Sequence, residues 1–307
     1  MLDESKGLIF DIKRDCSEDG PGIRTVVFFK GCPLSCVWCH NPEGISARPA
    51  ISFSADRCDP AQCGGYACLE VCPSDLPVFN PENKKIRIDH GACTRCDKCF
   101  AVCTPQALEP VGRWWTVKEL ITKILIDQTY FTATGGGVTL SGGEPTLQMG
   151  FLVRLLAALK QENINTGLET CGLFDLEPFR SDILPLLDFI YFDLKLIDPV
   201  QSRKFTGRTN ERIIANFLFL TRQAAVPVIA RIPIIPEITA TESNLRGISQ
   251  LLQKHGVTAC ALMPYNPLWS DKAVKNGVDI SYSHPGFMSP EEEENWVKIF
   301  LSGPGLQ

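Results

Sequence analysis

What this 307-residue chain lacks narrows its possible work. Positive charge is not in excess: 30 Lys and Arg stand against 35 Asp and Glu, for a formal net charge of −5, so no broad basic surface is offered to nucleic acid. No uninterrupted apolar run is long enough to span a bilayer, and the most apolar region, 224–238, is cut by three prolines and Arg231. The opening MLDESKGLIFDIKRD mixes acidic and basic residues around only three consecutive apolar ones, without the apolar core of a signal peptide. The expectation is a cytoplasmic protein that engages neither membrane nor nucleic acid.

Cysteine, by contrast, is abundant. Of 14 cysteines, eleven fall between Cys32 and Cys103. In a secreted chain they would read as disulfides, but thiols stay reduced in the cytosol, where clustered cysteines more often hold metal.

The length suits about two domains. Beyond residue 113 short β-rich runs alternate with amphipathic helical ones, the pattern of βα units and parallel sheet. Strands are expected at 137–140, 165–169, 189–195, 226–235 and 257–263. Thr116 and Glu119 form a capping box ahead of one helix, and Ser289 with Pro290 opens another. With one further strand at 24–30 the count is six, enough for a partial barrel or an open sheet.

Residues 50–112 interrupt this pattern with eight cysteines and many Pro, Gly and Asn, and read as a small inserted domain. About sixty residues rarely supply a sufficient core, so metal is the natural staple. The cysteines form two groups, Cys58, Cys63, Cys68, Cys72 and Cys93, Cys96, Cys99, Cys103. The second matches the bacterial ferredoxin run apart from one extra residue before its proline, and the first is a looser version. In that run the fourth cysteine ligates the other cluster, which assigns one [4Fe–4S] to Cys58, Cys63, Cys68 and Cys103 and another to Cys93, Cys96, Cys99 and Cys72. Two four-cysteine zinc sites are the competing reading, although zinc ligands usually come as two separated pairs.

The stretch GCPLSCVWCHNPEG, residues 31–44, holds Cys32, Cys36 and Cys39 and no fourth cysteine. A [4Fe–4S] cube carried by three thiolates keeps one iron open, as a catalytic zinc keeps a position free. Completion of a zinc site by His40 is the alternative, but adjacent residues rarely ligate one metal comfortably.

The spacing Cys32-x3-Cys36-x2-Cys39, with Trp38 beside the last cysteine, resembles the radical S-adenosylmethionine (SAM) enzymes. That resemblance implies that the amino and carboxylate groups of SAM chelate the open iron. Reduction of the cluster then cleaves SAM to methionine and a 5′-deoxyadenosyl radical. The SGGEP run, 141–145, looks like the superfamily's glycine-rich loop for the SAM amino group. Gly142 and Gly143 allow close backbone approach, and the Glu144 carboxylate can accept from an ammonium. Glu169-Thr170 and Asp193-x-Lys195 stand at strand ends, where barrel enzymes bind ligands. For an isolated D-x-K a structural salt bridge is the plainer reading.

The ordered set FDIK, DGPGIR, the three-cysteine loop with HNP, GGGVT, SGGEP and YFDLK resembles the glycyl radical enzyme activating enzymes from residue 7 to about 270. The insert marks the larger members of that family. The resemblance implies a partial (β/α)6 TIM-like barrel, 1–49 and 113–307, with an inserted bacterial-ferredoxin-like domain at 50–112. It implies three [4Fe–4S] clusters, hydrogen abstraction from a glycine Cα of a partner glycyl radical enzyme, and an electron donor such as flavodoxin or ferredoxin. Arg231 and Asn266 match further SAM-contacting positions, with Asn266 replacing a histidine that could titrate. Some relatives add a monovalent cation, which here would fall to Glu169, Thr170 and Asp193, with glutamate in place of the usual aspartate. A radical SAM enzyme of a small molecule and a plain electron-transfer module are the rival functions. Cys16, Cys171 and Cys260 read as packing residues.

Overall fold

The computed structural model describes residues 5–74, 76–80, 85–90 and 92–302. Its strands in chain order are β1 (Lys6–Cys16), β2 (Arg24–Phe29), β3 (Ala50–Phe53), β4 (Pro77–Asn80), β5 (Lys85–Ile88), β6 (Leu108–Val111), β7 (Arg113–Thr116), β8 (Gly137–Gly142), β9 (Asn165–Thr170), β10 (Phe189–Asp193), β11 (Val228–Ile234) and β12 (Cys260–Pro264).

Eight of them form one mixed sheet in the order β12-β11-β10-β9-β8-β2-β1-β7. From β2 to β12 every pairing is parallel and follows chain order, so the βα alternation read from sequence builds the sheet. β1 and β7 add an antiparallel edge that sequence reading missed. The cause is visible in β1, whose second half is mostly exposed and carries no apolar alternation.

Helices cover the parallel part with apolar faces set by period. Met149–Gln161 buries Phe151, Leu152, Leu155, Leu156 and Leu159, and Glu242–Lys254 buries Leu245, Ile248 and Leu252. They pack on β-strand residues such as Val27, Leu140, Leu168, Ile190 and Ile232 in one continuous core. Both expected capping boxes form, at Thr116/Glu119 and Ser289/Glu292.

The 50–112 segment has its own small architecture: β3 pairs with β6 and β4 with β5, both antiparallel, beside two five-residue helices, Ala67–Val71 and Lys98–Val102. The two helices are built alike. Each follows a residue held in the left-handed region, Tyr66 at φ 67° and Asp97 at φ 62°, carries the third cysteine of its group, and stops at the fourth.

Candidate active site

β2 is buried along its whole length and delivers the chain into the three-cysteine loop through Gly31 at φ +105°. That loop is held from two sides. Gly31 N–H donates to the Gly44 carbonyl at 2.7 Å, Cys32 N–H to that of Ile45 at 3.0 Å, and Glu144 N–H to that of Gly31 at 2.7 Å. A Cβ on Gly143 would lie 2.2 Å from the Gly31 oxygen, so the close approach of the two loops requires glycine there.

The loop faces a cavity of about 370 Å³, within the range of a small-molecule site. Its wall contains Cys32, Cys36 and Cys39 together with Trp38, Gly142, Gly143, Glu169, Thr170, Asp193, Lys195, Arg231 and Asn266. These residues come from the carboxyl ends of β2, β8, β9, β10 and β12 and, for Arg231, from the middle of β11, separated by up to 234 positions in sequence; that number is the gap between Cys32 and Asn266.

Glu144 is the exception, and it corrects the sequence reading. Its side chain is fully buried and absent from the cavity wall. One carboxylate oxygen accepts from the Thr146 hydroxyl at 2.8 Å, the other from Cys171 N–H at 2.7 Å, and the Thr170 hydroxyl donates at 2.9 Å. A carboxylate so engaged is no free acceptor for a ligand's ammonium. It ties the turn after β9 to the glycine loop, and burial pushes its pKa up.

The charged wall is paired. Lys195 Nζ stands 2.6 Å from Asp193; burial opposes its charge most strongly, but Asp193 together with Cys36 and Cys171 holds the ammonium above its ordinary range. Arg231 pairs with Glu169, which also accepts from the Ser141 hydroxyl. The Arg231 guanidinium lies 5.3 Å from the Tyr191 ring centre, while its Nε is buried without a partner. Asn266 Oδ1 accepts from Leu268 N–H at 2.9 Å, which leaves the amide nitrogen for other partners.

Burial pushes the Cys36 thiol up beyond the usual range and Cys39 up to about 12. Cys32 moves down, because the Cys171 thiol hydrogen-bonds its sulfur. Cys171 was therefore missed as a cavity residue: it lies on the wall, signalled only by its place directly after Glu169-Thr170. His40 lines the cavity beside the loop, and desolvation of its ring, with the Lys272 and Lys195 charges nearby, pushes its pKa down to about 4.

In the insert Cys72, Cys93, Cys96 and Cys99 line one cavity, and Cys58, Cys63 and Cys103 surround Cys68 closely enough to act on it electrostatically. Among the described residues no three His, Cys, Asp or Glu side chains converge on one ion-sized point. A multi-iron cluster, in which each thiolate takes a different iron, does not ask for such a point.

A family profile described as a 4Fe-4S dicluster domain matches residues 50–104, and one described as a 4Fe-4S single cluster domain matches 18–60 and 88–214. The chain is 34% identical to the isethionate sulfite-lyase activating enzyme of Nitratidesulfovibrio vulgaris, covering 88% of this chain and 87% of that one. It is 37% identical to the choline trimethylamine-lyase activating enzyme of Oleidesulfovibrio alaskensis, over 86% and 85%. It is 33% identical to the 4-hydroxyphenylacetate decarboxylase activating enzyme of Clostridioides difficile, over 96% and 93%.

Proposed function

From the premise that this chain belongs to the glycyl radical enzyme activating enzymes, we propose the parts its own residues play in that activity. It is a radical SAM enzyme that generates a glycyl radical on a partner enzyme. When bound, the cluster at the three-cysteine loop and SAM together supply a 5′-deoxyadenosyl radical.

Cys32, Cys36 and Cys39 would hold that cluster, on a loop fastened to Gly44, Ile45 and Glu144. Cys171 is no fourth ligand on this reading, since its thiol is engaged by the Cys32 sulfur. The Gly142–Gly143 backbone receives the SAM amino end. Lys195 and Arg231 face the carboxylate with positive charge, and Asn266 donates to the ribose. Trp38, 4% exposed, walls the cavity with apolar surface that excludes water from a radical.

The parallel strands β2 and β8 to β12 form a partial (β/α)6 barrel, 1–49 with 113–307, whose incomplete closure admits a flexible glycine-bearing loop that a full barrel would shut out. The 50–112 insert carries two more [4Fe–4S] clusters, one on Cys58, Cys63, Cys68 and Cys103, the other on Cys72, Cys93, Cys96 and Cys99. An external donor such as flavodoxin or ferredoxin, in a cytoplasm that keeps thiols reduced, supplies the electron.

The observation that carries this reading is the meeting of three loop cysteines with the ends of five further parallel strands in one cavity. Anaerobically reconstituted enzyme, incubated with reductant, SAM and a candidate glycyl radical enzyme, is expected to consume SAM and raise a carbon-centred radical on the partner, read by electron paramagnetic resonance. SAM cleavage that serves only a small molecule would replace the proposed role with the rival one.

A further inference from the structure

Three oxygen-bearing residues, Glu169, Thr170 and Asp193, stand together at the ends of β9 and β10, where related enzymes place a monovalent cation. In this chain each is already engaged. Glu169 gives one carboxylate oxygen to Arg231 and the other to Ser141. The Thr170 hydroxyl donates to Glu144 at 2.9 Å and accepts from Gly172 N–H at 3.0 Å. Asp193 Oδ2 holds Lys195 at 2.6 Å. A hard cation collects on the order of six oxygens, and this corner has few to give.

The length of Glu169 explains the arrangement. Strand register sets Glu169 of β9 beside Tyr191 of β10, while Arg231 lies on β11, paired with Asp193. The ion pair therefore crosses an intervening strand, roughly 9–10 Å at ordinary strand spacing, and passes over the Tyr191 ring. An aspartate at 169, one methylene shorter, would fall short of Arg231 and leave its oxygens facing the cavity.

We propose that this enzyme binds SAM without a monovalent cation, because the oxygens that would hold one are taken by Arg231, Ser141, Glu144 and Lys195. The inference rests on the reading of the cavity as the SAM site. It also gives the glutamate of this Glu-Thr pair a purpose, as a brace for Arg231 rather than a metal ligand.

The test uses the cluster-loaded enzyme and reads the SAM dissociation constant from the change in the cluster's electron paramagnetic resonance spectrum. Titrations are run in KCl, NaCl and tetramethylammonium chloride at one ionic strength. The expected result is a constant that changes by less than about threefold among the salts; tightening by more than that in K⁺ or Na⁺ overturns the inference. In Glu169→Asp a response of more than about threefold to K⁺ or Na⁺ is expected to appear. A Glu169→Asp enzyme that binds SAM with no such response overturns the role given to Glu169. Failure of the wild-type enzyme to bind SAM in any salt would strike instead at the assignment of the cavity.

Discussion

Two groups of cysteines occupy this chain under opposite conditions. The loop of Cys32, Cys36 and Cys39 is fastened to the glycine loop and to residues 205 and 206 by backbone hydrogen bonds, above a core in which Val27, Phe29, Leu140 and Leu168 are wholly buried. The insert offers a far smaller core, Ile51, Ile86, Ile88 and Leu108 with Cys68. Its short helices start from Tyr66 and Asp97 in left-handed conformations, each costing roughly 1–2 kcal/mol for a residue with a Cβ. On the proposed assignment, the difference separates cysteines that serve chemistry from cysteines that serve folding. A scaffold that stands without metal can leave an iron open, whereas a domain built on metal must saturate it.

Cys36→Ala breaks the comparison on its functional side and carries the largest expected effect. SAM cleavage should be lost, and iron should fall from about twelve to about eight per chain as one cube of three disappears. The thermal midpoint should move little, since the side chain removed belongs to the cavity wall. Iron analysis with a SAM-cleavage assay decides it, and surviving cleavage would reject the assignment of the active cube.

Cys99→Ala attacks the other side. Cys99 lies inside the Lys98–Val102 helix, beside Cys93, Cys96 and Cys72. Metal binding in such a domain is folding free energy, and a core this small supplies only about 3–5 kcal/mol. Limited proteolysis should therefore cut first within 50–112, while a fragment holding 113–302 persists. Chelation of the wild-type protein should reproduce the same cuts. Equal resistance of the insert and the sheet to protease would show that its cysteines are not what holds it.

How much of this was open to sequence reading differs between the regions for physical reasons. Cysteine spacing is a local property, so the two runs were legible as runs; that Cys72 lines one cavity with Cys93, Cys96 and Cys99 is a feature of the fold. The parallel strands were legible because burial on both faces imposes apolar runs; β2, for instance, is RTVVFF. β1 and β7 were not, because an antiparallel edge strand is held by pairing rather than by pattern. Glu144 shows the limit for side chains. Its motif placed the loop correctly, but its direction is set by Thr170 and Cys171, 26 and 27 residues away. The Glu169–Arg231 pair, 62 residues apart, is set by strand register, which no local motif records.

The junction between the two regions gives the smallest effect and the finest test of their division of labour. Lys30, 2% exposed, sits under Gly112, donates to the Glu43 carbonyl, and feels the Arg95 guanidinium of the insert. Burial, with help from Arg95, pulls its pKa down from 10.5 to about 8, so at neutral pH the folded state carries a charge it disfavours. A depressed lysine binds fewer protons folded than unfolded between those two values, so its penalty is full below pH 8 and fades as pH rises toward 10.5. The shift corresponds to about 3 kcal/mol, while the hydrogen bond to Glu43 returns about 1 kcal/mol. Lys30→Met, which keeps the packing and drops the charge, should therefore stabilise the holoenzyme by on the order of 2 kcal/mol at pH 7. Thermal midpoints at one scan rate, taken from pH 7 to pH 9.5, should show the advantage shrinking steadily as pH rises. A constant advantage across that range would mean that packing and not charge sets the difference, and a loss of stability at pH 7 would mean that the Lys30 charge helps to join the insert to the sheet.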